Sequence, residues 1–191
     1  MENENPISEA KQRLIDRCFV AFNHKGYQAV SVDSIAKDLK ISKKTIYRHV
    51  ATKEELLEAA LIQTFSRMEE RLSRLKRFGN PKNQLMEYFS VLKSWESTLS
   101  SILRMDLKTH LPHLFERVEN FERQVMLKQL TLNLKEQRSA NLLEFPSPSK
   151  EFAAALYSAM MGMIHSNEEQ AQFLLASIVK GIVVKKKKRD K

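Results

Sequence analysis

Six cations, Lys37, Lys40, Lys43, Lys44, Arg48 and Lys53, fall in one stretch where Asp38 is the only acid, a local excess of +5. Between them stand side chains that donate hydrogen bonds from short or rigid frames: Ser42, Thr45, Tyr47 and His49. Lysine and arginine at this density neutralise phosphates, and arginine also pairs bidentately with a guanine edge. The pattern points to a polyanion, nucleic acid in particular. Its location says more than the overall balance. The 191 residues carry 32 Lys+Arg against 23 Asp+Glu, +9, yet the first 60 hold ten basic and nine acidic side chains, only +1.

Other chemistry-bearing residues do not assemble. The sequence offers no Ser/His/Asp or Cys/His arrangement, no phosphate-cradling glycine loop and no multi-cysteine set, so no enzyme activity, cofactor or metal is expected. His110 and His113 are three apart, a spacing that can share a metal on one helix face, but Pro112 breaks that face and no carboxylate or cysteine partner is evident. Surface histidines are the plainer reading. Cys18 is the one cysteine and reads as a small core residue, a redox role being the alternative. No apolar run approaches the about 20 residues needed to span a membrane. The acidic, polar start Met1 to Asn5 does not resemble a signal peptide, so a soluble cytoplasmic protein is expected.

The elements that must position the basic stretch are helices. Four Gly and five Pro are few for this length, and Leu, Ala, Lys, Glu, Gln and Met abound. Leu14, Ile15, Cys18, Phe19 and Phe22 share one face of a first helix that Lys25-Gly26 should end. Val32, Ile35, Ala36 and Leu39 mark a second, capped by Ser31, and Ile41 is a buried turn residue. Ser42 caps a third helix over residues 43–49, with Ile46 and Val50 inward. Thr52-Lys53-Glu54-Glu55 reads as a capping box opening a long helix to about Arg77. Phe78-Gly79-Asn80-Pro81 is a breaker. Further helical patterns carry Leu85, Met86, Phe89, Leu92 and Trp95, then Leu99 to Thr109, then a long segment from Leu114 that fades at Gln137 to Asn141. Phe145-Pro146-Ser147-Pro148-Ser149 is a loop, helices follow over about 150–165 and 168–184, and residues 185–191 form a basic tail expected to be disordered.

A first helix braces a second whose outward face enters the major groove, which is how a helix-turn-helix works, and residues 31–50 supply that layout. The segments Leu14-Ile15-Asp16 to Phe22, Lys25-Gly26-Tyr27, Ser31-Val32 to Ile35-Ala36, Ile41 to His49 and Lys53-Glu54-Glu55-Leu56 closely resemble the TetR family of bacterial transcriptional regulators. The resemblance covers nearly all of the first 60 residues and is looser beyond, where Ile102 to Phe121, with Asp106-Leu107 and Leu111-Pro112, is similar to one subgroup. It implies that Thr45, Tyr47 and His49 contact the DNA backbone, that Lys44 and Arg48 reach base edges and that Lys53 meets a phosphate, with Ser31, Ser42 and Lys43 completing the DNA-facing set. The family usually has Gly where this chain has Lys40. A lysine in left-handed geometry costs on the order of 1 kcal/mol, so either the turn differs or its stability is reduced.

The expected fold is all-α: a three-helix DNA-binding domain over residues 1–55, a larger helical effector-binding and dimerisation domain over 56–184, and the tail. In the family the last two helices pair with their counterparts, which here are residues 150–184. Ala153, Ala154, Ala155, Ala159 and Gly162 would allow close approach, although such a face can equally be buried within one subunit. A pocket would be lined by Phe89, Leu92, Trp95, Met105, Phe115, Met126, Met160 and Met163, residues that as readily just fill a core. The leading expectation is a homodimeric repressor on a near-palindromic double-stranded operator, released by a small hydrophobic or amphipathic molecule. The alternative is a nucleoid or division factor governed by a protein partner.

Overall fold

The computed structural model describes residues 6–75, 80–145 and 148–183, and these fold as helices throughout, joined by short turns. In chain order they are α1 (Pro6–Lys25), α2 (Val32–Leu39), α3 (Lys43–Tyr47), α4 (Lys53–Arg74), α5 (Pro81–Thr98), α6 (Ser101–His110), α7 (Pro112–Phe121), α8 (Lys128–Ser139), α9 (Ser149–Ile164) and α10 (Glu168–Ile182). A π-helical turn, Glu122–Leu127, links α7 to α8. Among the described residues extended pairing is confined to one antiparallel bridge, Leu143 with Val183. No described helix is long and apolar enough to cross a membrane. The breaker at Phe78-Gly79, the loop residues Pro146-Ser147 and the basic tail 185–191 lie outside the described residues.

Two compact units form, one within Met1–Arg67 and Leu99–Glu119, the other within Met68–Thr98 and Asn120–Lys191. Packing therefore cuts the chain differently from the functional division expected at residue 55, because α6 and most of α7 join the N-terminal helices.

In the first unit α1 turns Leu14, Ile15, Cys18 and Phe22 inward and ends at Gly26, whose φ of +86° is open to glycine at little cost. Ser31 caps α2 reciprocally with Ser34: the Ser34 N–H donates to Ser31 Oγ at 3.0 Å, and the Ser31 N–H to Ser34 Oγ at 3.2 Å. Helix α2 closes in a Schellman turn, Ile41 N–H to Ala36 O at 3.0 Å, with Lys40 left-handed at φ 54° and ψ 39°. The turn keeps the geometry that favours glycine, and lysine bears its cost. Helix α3 is two residues shorter than expected and caps off at Arg48.

The second unit hides larger side chains. Leu85, Tyr88, Phe89, Val91, Leu92 and Trp95 of α5 are buried with Met126, Leu130, Leu134, Leu156 and Met160. The π-helical turn was not foreseen. It is braced from α5, since Tyr88 Oη donates to Met126 O at 2.8 Å and Trp95 Nε1 donates to Glu122 Oε1 at 2.8 Å. A buried amide cluster joins α5 to α8, in which Gln84 Oε1 accepts from Asn133 Nδ2 at 2.5 Å and from Gln137 Nε2 at 2.8 Å.

Candidate nucleic-acid interface

A five-residue helix has too few internal hydrogen bonds to stand alone, so α3 is held at its start and from below. At its start the Thr45 N–H donates to Ser42 Oγ at 3.1 Å, and the hydroxyls of Ser42 and Thr45 lie 2.9 Å apart in a hydrogen bond. Beneath it Ile46 is fully buried. That anchor fixes which side chains point out: Lys44 and Arg48 are exposed, Tyr47 is 49% exposed although aromatic, and His49 is half-buried. A tyrosine this exposed on a helix pinned by an isoleucine leaves its ring and hydroxyl available to a partner.

Three expected contacts carry a structural duty as well. Ser31 and Ser42 are helix caps, and the Thr45 hydroxyl is shared with Ser42. Lys43 is paired with Asp33 of α2, both of them exposed, so its ammonium already has a counter-charge. An exposed pair of this kind is worth little, about 0 to 1 kcal/mol.

Lys53 stands at the start of α4, whose first turn is closed by the Glu55 N–H donating to Thr52 Oγ1 at 3.0 Å. Glu55 reaches back with Oε2 to the Ala51 N–H at 2.7 Å, one residue earlier than the expected box would have it. The Lys53 ammonium lies 4.1 Å from the centre of the Tyr27 ring, a cation–π contact. Burial lowers the Lys53 pKa, and the Asp106 carboxylate opposes that shift. Burial likewise raises the Tyr27 pKa, helped by the charge of Glu54. Tyr27 was missed as a functional neighbour, its signal being only a position beside the Gly26 that ends α1.

His113, one of the two spaced histidines, pairs with Glu54 of α4 at 2.9 Å. Among the described residues no cluster of His, Cys, Asp and Glu is arranged to hold a metal. Cys18 has no solvent exposure, and burial pushes its thiol pKa up to about 12, so it stays protonated and inert.

The eight pocket candidates are divided between the two units. Phe89, Leu92, Trp95, Met126, Met160 and Met163 are buried in the second unit, whereas Phe115 is half-buried and Met105 is 65% exposed in the first. Met105 lies on α6 between Leu103 and Leu107, which take the inward positions of that helix. A cleft of about 150 Å³ does open in the second unit, with Phe89 and Met163 joined by Met86, Ser90, Lys93, Ile164 and Gln172 among its walls.

Comparison with known proteins agrees with this geometry. Residues 14–60 match the family model of bacterial regulatory proteins, tetR family. The uncharacterized HTH-type transcriptional regulator YuxN of Bacillus subtilis is 28% identical over 131 residues, covering 67% of this chain and 44% of that one. The chain spans less than half the length of the first curated relatives it matches. A TetR-family regulator from Cytophaga hutchinsonii superposes with a TM-score of 0.75 at 17% identity, over 97% of this chain and 100% of that one. A protein from Saccharomonospora viridis solved in complex with choline gives 0.74 at 16% identity, over 93% and 100%. Those two likenesses concern the fold, and the sequence match falls on the helices that carry the capped, outward-facing basic helix. Residues 14–60 of the chain are a domain of the tetR family of bacterial regulatory proteins.

Proposed function

We propose that this chain is a sequence-specific DNA-binding transcriptional repressor that acts as a homodimer on a near-palindromic operator and releases it when a small hydrophobic or amphipathic molecule binds the larger helical region. One observation carries the reading: Lys44, Tyr47 and Arg48 face solvent from a helix whose caps and Ile46 anchor leave it no other face to show. Arg48 can take a guanine edge, Tyr47 a backbone oxygen, and Lys53 a phosphate at the helix N-terminus.

A single five-residue helix reads few bases, and two-fold pairing doubles the contacts. Support for pairing comes from α9 and α10. On α9 the exposed residues Ala154, Ala155, Ala159 and Gly162 follow helical spacing, and a Cβ built on Gly162 or on Gly181 of α10 would meet nothing within 4 Å. Phe173 is 72% and Leu174 49% exposed on α10. Apolar side chains so far out on one helix mark a surface meant to be covered. The small-molecule half of the reading is supported by the second-unit cleft and by the choline complex of a protein of the same fold. Ligand and DNA then oppose one another through linkage, each weakening the other by the same factor.

Selection of genomic fragments by the full-length chain tests the reading. A discrete set of near-palindromic duplexes is expected, and the double substitution Tyr47→Ala with Arg48→Ala should abolish their retention while leaving helicity and dimer size unchanged. Retention of the same duplexes by that variant would overturn the site. Phe173→Glu should give a monomer by sedimentation.

A further inference from the structure

Helix α6 is fastened to the far end of α1 and to the connection that leads into α2. Ser100 caps α6 by accepting from the Leu103 N–H at 3.1 Å, and it also grips Asn23 of α1. Its N–H donates to Asn23 Oδ1 at 2.7 Å and its hydroxyl to Asn23 O at 2.5 Å. Further along α6, Asp106 Oδ2 accepts from the backbone N–H of Gln28 at 3.0 Å. The clamp closes over Gly26, where an added Cβ would lie 2.7 Å from Asp106 Oδ2 and 2.9 Å from Ile102 Cγ2. Glycine is required there twice, once for its positive φ and once for the space.

Tyr27 sits between the glycine and the clamped amide, and its ring lies under the Lys53 ammonium. The same end of α4 is held from α7, by His113 on Glu54 and Arg117 on Glu58. A backbone N–H needs only a neutral acceptor, so the full charge of a carboxylate is more than the clamp demands. Its second use is electrostatic: half-burial works against the charge of Lys53, and Asp106 works for it. The ammonium rests on a π face instead of on a carboxylate oxygen, which leaves its hydrogens free for an incoming phosphate.

We propose that Asp106 is a positioning residue for DNA binding: by holding the Gly26–Gln28 connection against α6 it fixes the Tyr27 ring, and with it the Lys53 ammonium, where Lys53 meets a phosphate. This rests on the reading of residues 31–53 as a DNA-binding face. Motion of α6 relative to α1 then changes phosphate contact without touching α3.

The test has two arms on the full-length chain. In the first, lysine carrying ¹³C in its side chain is followed by NMR without DNA. The Lys53 ε-methylene, identified by its loss in Lys53→Met, should be shifted upfield by the Tyr27 ring, should move to the position of a free lysine in Asp106→Ala and should return in Asp106→Asn, which keeps an acceptor for Gln28. An unmoved signal in Asp106→Ala overturns the proposal whether or not the chain binds DNA. In the second, affinity for a genomically selected duplex is measured against salt. Lys53→Met and Asp106→Ala should each cost about fivefold, yet about fivefold together instead of about 25-fold, because coupled residues are non-additive. Each should lower the log–log salt slope by about 0.9 per protomer, the value for one lost phosphate contact. Full additivity, with the slope unchanged in Asp106→Ala, would mean that Asp106 serves folding alone. If no duplex is selected by the wild type, the DNA-binding reading fails, and the NMR arm still decides the placement of Lys53.

Discussion

Helices α2 and α3 of the first unit and α5 of the second stay helical by opposite means. At eight and five residues, α2 and α3 are shorter than the about 12 to 15 residues at which an isolated helix becomes marginal in water. They rely on Ser31, Ser42, a Schellman turn and the buried side chains of Ile35, Ala36 and Ile46. Helix α5 has 18 residues and buries Tyr88, Phe89 and Trp95 among others. A helix held at its ends keeps its outer face free for a partner, while a helix held by its side chains has spent them. Groups available for binding and groups that carry stability are thereby kept apart in the two regions.

The sharpest test of that separation is Trp95→Ala. The indole is fully buried, contacts the Phe121 ring at 4.8 Å between centroids and donates to Glu122. Its loss should cost about 3 to 5 kcal/mol in urea unfolding. Arg48→Ala is the mirror experiment, with stability held to about 0.5 kcal/mol and operator binding lost. A large stability loss in Arg48→Ala would break the contrast.

Cys18 gives the next effect, this time against pH. Its thiol is neutral in the folded chain up to about pH 12 because burial disfavours the thiolate. In the unfolded chain the thiol ionises near its ordinary value, about 8.5 to 9. Above that pH the unfolded state binds fewer protons than the native one, so stability is fully present below the unfolded pKa and falls as pH rises. From pH 8 to 10 the fall due to this group should be about 1.4 kcal/mol, the energy of one pKa unit. Cys18→Ala should remove that part of the alkaline slope, although the buried hydroxyl of Tyr88 adds its own at higher pH.

Ser42→Ala lies between the two regimes, since Ser42 is a cap and belongs also to the proposed DNA-facing set. Loss of the Thr45 N–H bond should cost about 1 kcal/mol of stability, read as a lower melting temperature. Because α3 has so little else to hold it, operator affinity should drop in the same variant, and Ser42→Asp, an equally good cap with an added negative charge, should restore stability but not affinity. Recovery of both would remove Ser42 from the interface.

What could be read from the sequence follows the same division. In the first unit the deciding signals are local and tied to a residue type: Gly26 ends α1, Ser31 caps α2, Ser42 caps α3, and Thr52 with Glu55 opens α4. Interactions between distant residues were invisible, among them Lys43 with Asp33, Lys53 over Tyr27, and Asp106 on the Gln28 amide. In the second unit the helices were legible from apolar periodicity, but which apolar side chains share a space was not. Met105 has the composition of a core residue and is exposed, because a helix with a sparse apolar pattern can turn only Leu103 and Leu107 fully inward. The π-helical turn has no sequence signature at all, its extra residue being accommodated by the Tyr88 and Trp95 bonds from another helix.

The smallest expected effect sits at Lys40, where sequence and geometry disagree most openly. The left-handed residue of a Schellman turn favours glycine, since a Cβ there crowds the carbonyl that follows. Lys40 holds that conformation because the Ile41 N–H to Ala36 O bond closes the turn around it and the α2–α3 angle depends on the closure. Lys40→Gly removes the crowding but frees the unfolded backbone, and these effects partly cancel. The net gain should be about 0.5 kcal/mol, less than the on-the-order-of 1 kcal/mol strain itself. If Lys40 is only a strained spacer, the variant melts slightly higher and binds its duplex with an unchanged salt slope. If its ammonium also meets a phosphate, the slope falls by about 0.9 per protomer, and the strain is then the cost of placing the turn before α3 in contact with DNA.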